Sequence, residues 1–149
     1  MLKIYCAGKW KEREQVKKVM EMFEARGHTI TCDWTKHIAP ERDIQVGNHG
    51  IKTYAEEDLE GVRECDVLVA YMSNPDIFYK GAWIEIGIAL GLGKKVIIIG
   101  KDVTTVFLGL PNIVVVSYKE EALDIIDSMQ FDSDYEEGAK YKDTDHFVM

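Results

Sequence analysis

The chain is short of positive charge. Its 149 residues hold 18 Lys+Arg against 26 Asp+Glu, a formal net charge of −8. That balance argues against a nucleic-acid polymer or an anionic membrane as the main partner. It leaves room for a small anion at a local basic loop. Cysteine is scarce as well. Cys6, Cys32 and Cys65 are odd in number, form no CxxC, and each sits in or beside an apolar run. They read as buried free thiols of a reducing compartment. No apolar run reaches the length of a membrane span, and Lys3 and Lys9 interrupt any early signal-peptide core. The expectation is a cytoplasmic protein with no membrane partner. The four histidines, His28, His37, His49 and His146, lack metal-ligand spacing. There is no GxSxG, no GxGxxG and no Walker pattern. Neither a cofactor nor a metal is expected.

What is present is a globular composition. Hydrophobic residues make up 46%, and a chain of this length fits one domain with a sizeable core. Leu2–Cys6 reads as a first strand, followed by a loop opening at Gly8. Val16, Val19, Met20 and Phe23 repeat at i, i+3, i+4 and i+7, which predicts a helix that Gly27 stops at C′. His28–Asp33 is a second strand candidate. Trp34–Gly50 has no clear period, and a loop of that length is usually functional or mobile. A helix is expected over Tyr54–Glu64, then strands over Asp66–Tyr71, Val96–Ile99 and Ile113–Val116, and a last helix over Glu120–Met129. Residues 1–130 form the expected domain. The tail from residue 131 to 149 is acidic and reads as solvated or docked on a partner subunit. Strands alternating with helices imply an α/β fold with a parallel sheet and right-handed crossovers. Ligands then sit beyond the carboxyl ends of the strands.

The chain is organised around Tyr79–Gly100. From Gly81 to Gly93 there is one charged residue, Glu85, in a helix pattern that is apolar all round and so expected to be buried. A lone carboxylate there is costly to bury unless it is paired or has a task, and burial raises its pKa. The alternative is an edge glutamate on a helix packed off-axis. Asp58 borders the apolar stripe of its own helix, where it is either a working acid or a flank aspartate favoured by the helix dipole. Tyr5 is either a half-buried strand tyrosine or a phenol donating to a nearby carboxylate. The Gly8-Lys9-Trp10-Lys11-Glu12-Arg13 loop follows a strand and opens a helix, a place where backbone N–H groups and basic side chains suit an anion. The same cations also suit a solvated first turn. Trp34 is placed to stack on a base. His37 and His49 lie in or at the end of the long loop and read as surface residues within reach of a ligand.

Three segments in order carry a resemblance. Lys3-Ile-Tyr-Cys-Ala-Gly8 is similar to the opening K-I-Y-x-A-G of the nucleoside 2-deoxyribosyltransferase family. Asp58-Leu-Glu-Gly-Val62 with Cys65-Asp-Val-Leu-Val-Ala70 resembles its aspartate helix and following strand. Gly81-Ala-Trp-Ile-Glu-Ile-Gly87, continuing to Ala89 and Gly93-Lys-Lys-Val96, resembles its G-T-x-x-E-x-G…A…G-K-P-V. The resemblance implies a single-domain, flavodoxin-like (Rossmann-like) five-stranded parallel sheet with helices on both faces. It also implies a homo-oligomer with sites near subunit interfaces. It matches Glu85 to the family's nucleophile, Tyr5 to the tyrosine that orients it, and Asp58 to an aspartate handling the base. The substrate it implies is a small nucleoside or nucleotide, held by Gly8, Lys9, Trp10, Arg13, Trp34, Asp76, Tyr79 and Gly81. Transfer to another base is the expected reaction. The alternatives are hydrolysis, as in the related deoxynucleoside 5′-monophosphate N-glycosidases, whose phosphate loop the Gly8–Arg13 loop resembles, and a non-catalytic nucleotide-binding domain. The run before Glu85 departs from the family's D-S-G-T: Tyr79 stands where the aspartate is expected, and Asp76 is out of register.

Overall fold

The computed structural model describes residues 1–37 and 49–133. Among the described residues there are five strands and four α-helices. They are β1 (Lys3–Ala7), α1 (Arg13–Ala25), β2 (Thr29–Ile30), α2 (His49–Glu64), β3 (Val67–Tyr71), α3 (Lys80–Gly91), β4 (Lys95–Ile99), β5 (Ile113–Val116) and α4 (Lys119–Ser133). They alternate, except that β4 leads to β5 through a 3-10 turn at Val106–Gly109. All strand pairs are parallel, in the order β2-β1-β3-β4-β5. This is the flavodoxin-like order, whose switch point lies between β1 and β3. α1 packs against α4, and α2 against α3.

The sequence explains the layers. β3 and β4 are central strands, covered on both faces, and their runs Val67–Ala70 and Val96–Ile99 are buried without a break. α1 buries Val16, Val19, Met20 and Phe23, each contributing about 1.5–3 kcal/mol of transfer free energy. It ends at Gly27, whose φ of +90° costs a glycine little. No helix among the described residues is long and apolar enough to cross a membrane.

Four expectations need correction. β2 is two residues long, because the chain leaves the sheet edge after Ile30 and turns at Trp34–Lys36, where the Asp33 carboxylate accepts from the Thr35 N–H at 3.1 Å. α2 starts at His49, five residues before Tyr54, and residues 38–48 of the long loop lie outside the described residues. α4 runs on to Ser133, and the tail from 134 onward lies outside the described residues. Finally, α3 is not buried all round. Ala82, Ile86 and Ala89 face the sheet, but Ile84 is 65% and Leu92, just past its end, 50% exposed. An outer-layer helix has one side against the sheet, and here the far side is apolar too. Uniform hydrophobicity hid which face was which.

Candidate active site

Tyr5 lies in the middle of β1, paired with Leu68 of β3, not at the strand's end. Its side chain is fully buried and reaches α3, where its hydroxyl donates to Glu85 Oε2 at 2.7 Å. α2 comes close to the same ring at Gly61. A Cβ there would stand 2.8 Å from Cys32 Cβ and 2.9 Å from Tyr5 Cδ2. The glycine lets the helix seat itself against β1 and brings Asp58, one turn earlier, to the cavity that Tyr5 and Glu85 share. That cavity has a volume of about 320 Å³ and is walled by Tyr5, Glu85, Asp58, His37, Trp34 and Gly81 among others. It sits at the carboxyl side of β1, beside the switch point, where ligands bind in this topology.

The two carboxylates are shifted in the same direction. Burial drives the Glu85 carboxyl up to about 8; the Tyr5 hydroxyl pulls it down and the nearby Asp58 charge pushes it up further. Burial also raises Asp58, against the opposing pull of His37 and the Cys32 thiol. The Tyr5 phenol is held well above its ordinary value by burial and by the Glu85 charge, so it stays protonated and can only donate here. Two half-buried carboxyls at one cavity, both held above their ordinary values, can serve as an acid and base pair.

A second cavity, of about 560 Å³, adjoins the first and shares Gly8, Trp10 and Gly81 with it. Its charge comes from Lys9, Lys11, Arg13 and Lys80. Arg13 is ordered by stacking on Trp10 at 4.6 Å and by donating to the Trp10 carbonyl at 3.2 Å. Lys9 Nζ donates to the Phe78 carbonyl at 3.2 Å, tying the basic loop to the β3–α3 connection. Tyr79 closes this wall. Its hydroxyl donates to the buried Glu12 carboxylate at 2.6 Å and accepts from the Asn74 N–H at 3.1 Å. Tyr79 therefore braces the loop against the start of α1.

Most of the expected site residues meet here. Tyr5, Asp58, Glu85, Gly8, Trp10, Trp34 and Gly81 line the first cavity, and Lys9, Arg13 and Tyr79 the second. Asp76 does not join them. It is exposed in the β3–α3 loop, its N–H held by Asn74 Oδ1 at 2.9 Å, and it lines neither cavity. Trp34 borders the cavity with little free face: it is 6% exposed, and its indole N–H donates to the Cys6 carbonyl at 2.6 Å. His37 is no surface residue. It lies in the cavity wall, stacked on Tyr54 at 3.8 Å and 6°. Cys32 is only half-buried, and its thiol donates to Asp58 Oδ1 at 3.5 Å. Gly61 was missed in the sequence, although a glycine inside a helix pattern is itself a signal of close approach.

Two solved structures share the fold. A CMP N-glycosidase of Clostridium botulinum, BcmB, superposes with a TM-score of 0.57 at 19% identity, covering 84% of this chain and 98% of its own. A 2-deoxyribosyltransferase from Bacillus psychrosaccharolyticus superposes with a TM-score of 0.57 at 18% identity, covering 80% of this chain and 89% of its own. No curated protein matches the chain in sequence. The family model for nucleoside 2-deoxyribosyltransferases matches residues 4–145, and the chain belongs to that family.

Proposed function

We propose that this chain breaks the N-glycosidic bond of a deoxynucleoside or its 5′-monophosphate through a covalent ester on Glu85, and passes the sugar to a second base. The observation that carries this reading is the 2.7 Å hydrogen bond from the buried Tyr5 to a half-buried Glu85 at an open cavity. The phenol holds one carboxylate oxygen and leaves the other to attack C1′. As the new C1′–O bond forms, the C1′–N bond breaks and its electron pair leaves with the base. A proton from Asp58 neutralises the departing nitrogen. Positive charge builds on the sugar in an oxocarbenium-like state, and this favours an ionised Glu85. The second base then attacks C1′, gives its N–H proton to the Asp58 carboxylate, and frees the Glu85 carboxylate.

The proton count fixes a pH dependence. The reactive pair carries one proton, on Asp58, with Glu85 ionised. In the empty site that proton rests on Glu85, the group raised further, so the reactive form is a minor arrangement of the singly protonated pair. Its population is level across the window in which the pair holds one proton and falls once the pair loses it, above about pH 8. kcat/KM should accordingly be flat across that window, fall at lower pH where the pair takes up a second proton, and fall above about pH 8. A rate that climbs through pH 8 would mean that ionising Glu85 is all that matters, and would remove Asp58 as the acid.

A second reading is supported by the basic cavity: hydrolysis of a nucleoside 5′-monophosphate, the water taking the place of the second base. Four cationic side chains beside the sugar site suit a phosphate, and the similar BcmB is a CMP N-glycosidase. Removing one charge-assisted bond costs about 1.5–3 kcal/mol, or roughly 10–100-fold. Arg13→Gln and Lys80→Gln should each raise KM for a monophosphate by that order and leave the nucleoside's KM within about twofold. Equal effects on both substrates would place the phosphate elsewhere. Incubation with and without a free base separates the two fates. Base release without an exchange product would rule out the transferase.

A further inference from the structure

We propose that Cys32, His37 and Asp58 form a binding site for a zinc-like divalent metal ion, set in the wall of the catalytic cavity. Their ligand atoms all lie within 4.8 Å of one another. Cys32 and His37 flank the Trp34–Lys36 turn, five residues apart, and Asp58 comes from α2. Asp58 has no local sequence spacing to the other two. The donor set is one sulfur, one imidazole nitrogen and one carboxylate oxygen, which suits zinc and excludes magnesium or calcium as the preferred ion. Bonds of about 2.0–2.3 Å in a tetrahedral site put ligand atoms roughly 3.3–3.8 Å apart. Closing from the present spacing takes about 1 Å, within the reach of side-chain rotation.

The site is partly built already. The Cys32 thiol sits 3.5 Å from Asp58 Oδ1. The His37 ring is fixed on one side by stacking on Tyr54 and at Nε2 by Glu57 Oε1, 3.2 Å away. A carboxylate on the outer nitrogen of a ligating histidine is the usual way such rings are oriented and made more basic. His37 and Asp58 both line the cavity, so an ion held between them borders the substrate space. Binding would release the Cys32 thiol proton to solvent and join a thiolate, a neutral imidazole and a carboxylate to the ion.

The consequence is inhibition. An ion held there takes the Asp58 carboxylate for itself and stands where the base would lie. That consequence rests on the acid role given to Asp58 above; the binding site itself does not.

The test uses the full, reduced, metal-free chain. Cobalt(II) is the probe, because a cobalt–thiolate bond has a charge-transfer band in the near ultraviolet. The expected result is a band that saturates at one cobalt per chain and is erased by zinc. It should be absent in Cys32→Ser. Glu57→Gln, which loosens the ring's outer support, should weaken binding by about tenfold. The absence of a band, or a band that survives in Cys32→Ser, would overturn the site. Zinc should then depress turnover in the unmodified chain, relative to its own metal-free rate, and lose that effect in Cys32→Ser. A zinc-loaded chain that keeps full turnover would overturn the role of Asp58 while the cobalt spectrum still upholds the site.

Discussion

Glu85→Gln loses base release by at least about 1,000-fold and melts at a higher temperature than the unmodified chain. Both effects have one cause. The amide cannot form an ester with C1′, so the covalent path closes. It also carries no charge, so burial no longer penalises it. The sign of the stability effect follows from proton counting. Folded Glu85 keeps its proton up to about pH 8, whereas the unfolded side chain gives it up near its ordinary 4.5. Between those values the folded state binds more protons, so unfolding free energy falls as pH rises, and above about 8 the full penalty is present. Each unit is about 1.4 kcal/mol. Water in the adjoining cavity softens that penalty, and a gain of roughly 1–3 kcal/mol at pH 8 is expected, or about 3–10 °C for a domain of this size. The gain should shrink as pH falls toward 4.5. A variant that is inactive but no more stable at pH 8 would mean that the carboxylate is better solvated than its surroundings indicate.

Gly61→Ala should cost both stability and activity, and the two should fail together. Its Cβ would press on Cys32 Cβ at 2.8 Å and on the Tyr5 ring at 2.9 Å. Neither neighbour is the free end of a flexible chain, so α2 has to ride back from β1. Overpacking of this kind costs about 1–3 kcal/mol, and the better helix propensity of alanine returns about 1. The net loss is up to about 2 kcal/mol, or up to roughly 8 °C in Tm. Activity should drop further, by about 100-fold, because the helix that moves carries Asp58 and the ring that is pressed carries the Glu85 hydrogen bond. Gly87→Ala is the control. Its Cβ would meet nothing within 4 Å, so the same exchange in α3 should leave turnover unchanged and stability equal or slightly higher. Normal melting and normal turnover of Gly61→Ala would show that α2 and β1 are not in close contact there.

The fold was legible wherever one pattern had one meaning. α1 shows a strict helical stripe and a stop glycine. β3 and β4 are unbroken apolar runs, which only the centre of a parallel sheet buries on both faces. α3 resisted the same reading because its exposed flank, Ile84 and Leu92, is as apolar as its buried one. The start of α2 was placed late although Ile51 continues the stripe of Ala55, Leu59 and Val62, because Gly47 and Gly50 read as loop; Ile51 and Tyr54 line the candidate cavity. The site was legible in part. Glu85 stood out as one charge in an apolar helix, and the basic run after Gly8 stood out by composition. The brace between Tyr79 and Glu12 and the grouping of Cys32, His37 and Asp58 join residues 20 or more positions apart, apart from Cys32 and His37, and no local pattern records such contacts. Asp76 lies near the site in sequence, but its loop leaves it exposed and outside both cavities.

The most direct measurement is covalent trapping. A 2-deoxy-2-fluoro nucleoside, and separately its 5′-monophosphate, slows release of the sugar from the enzyme and allows the intermediate to be weighed and mapped by peptide mass. The expected result is one fluorodeoxyribosyl group, or its phosphate, per chain, on the peptide that holds Glu85. Base release with no change in protein mass, or a label on Asp58, would contradict the assignment of Glu85 as the attacking group.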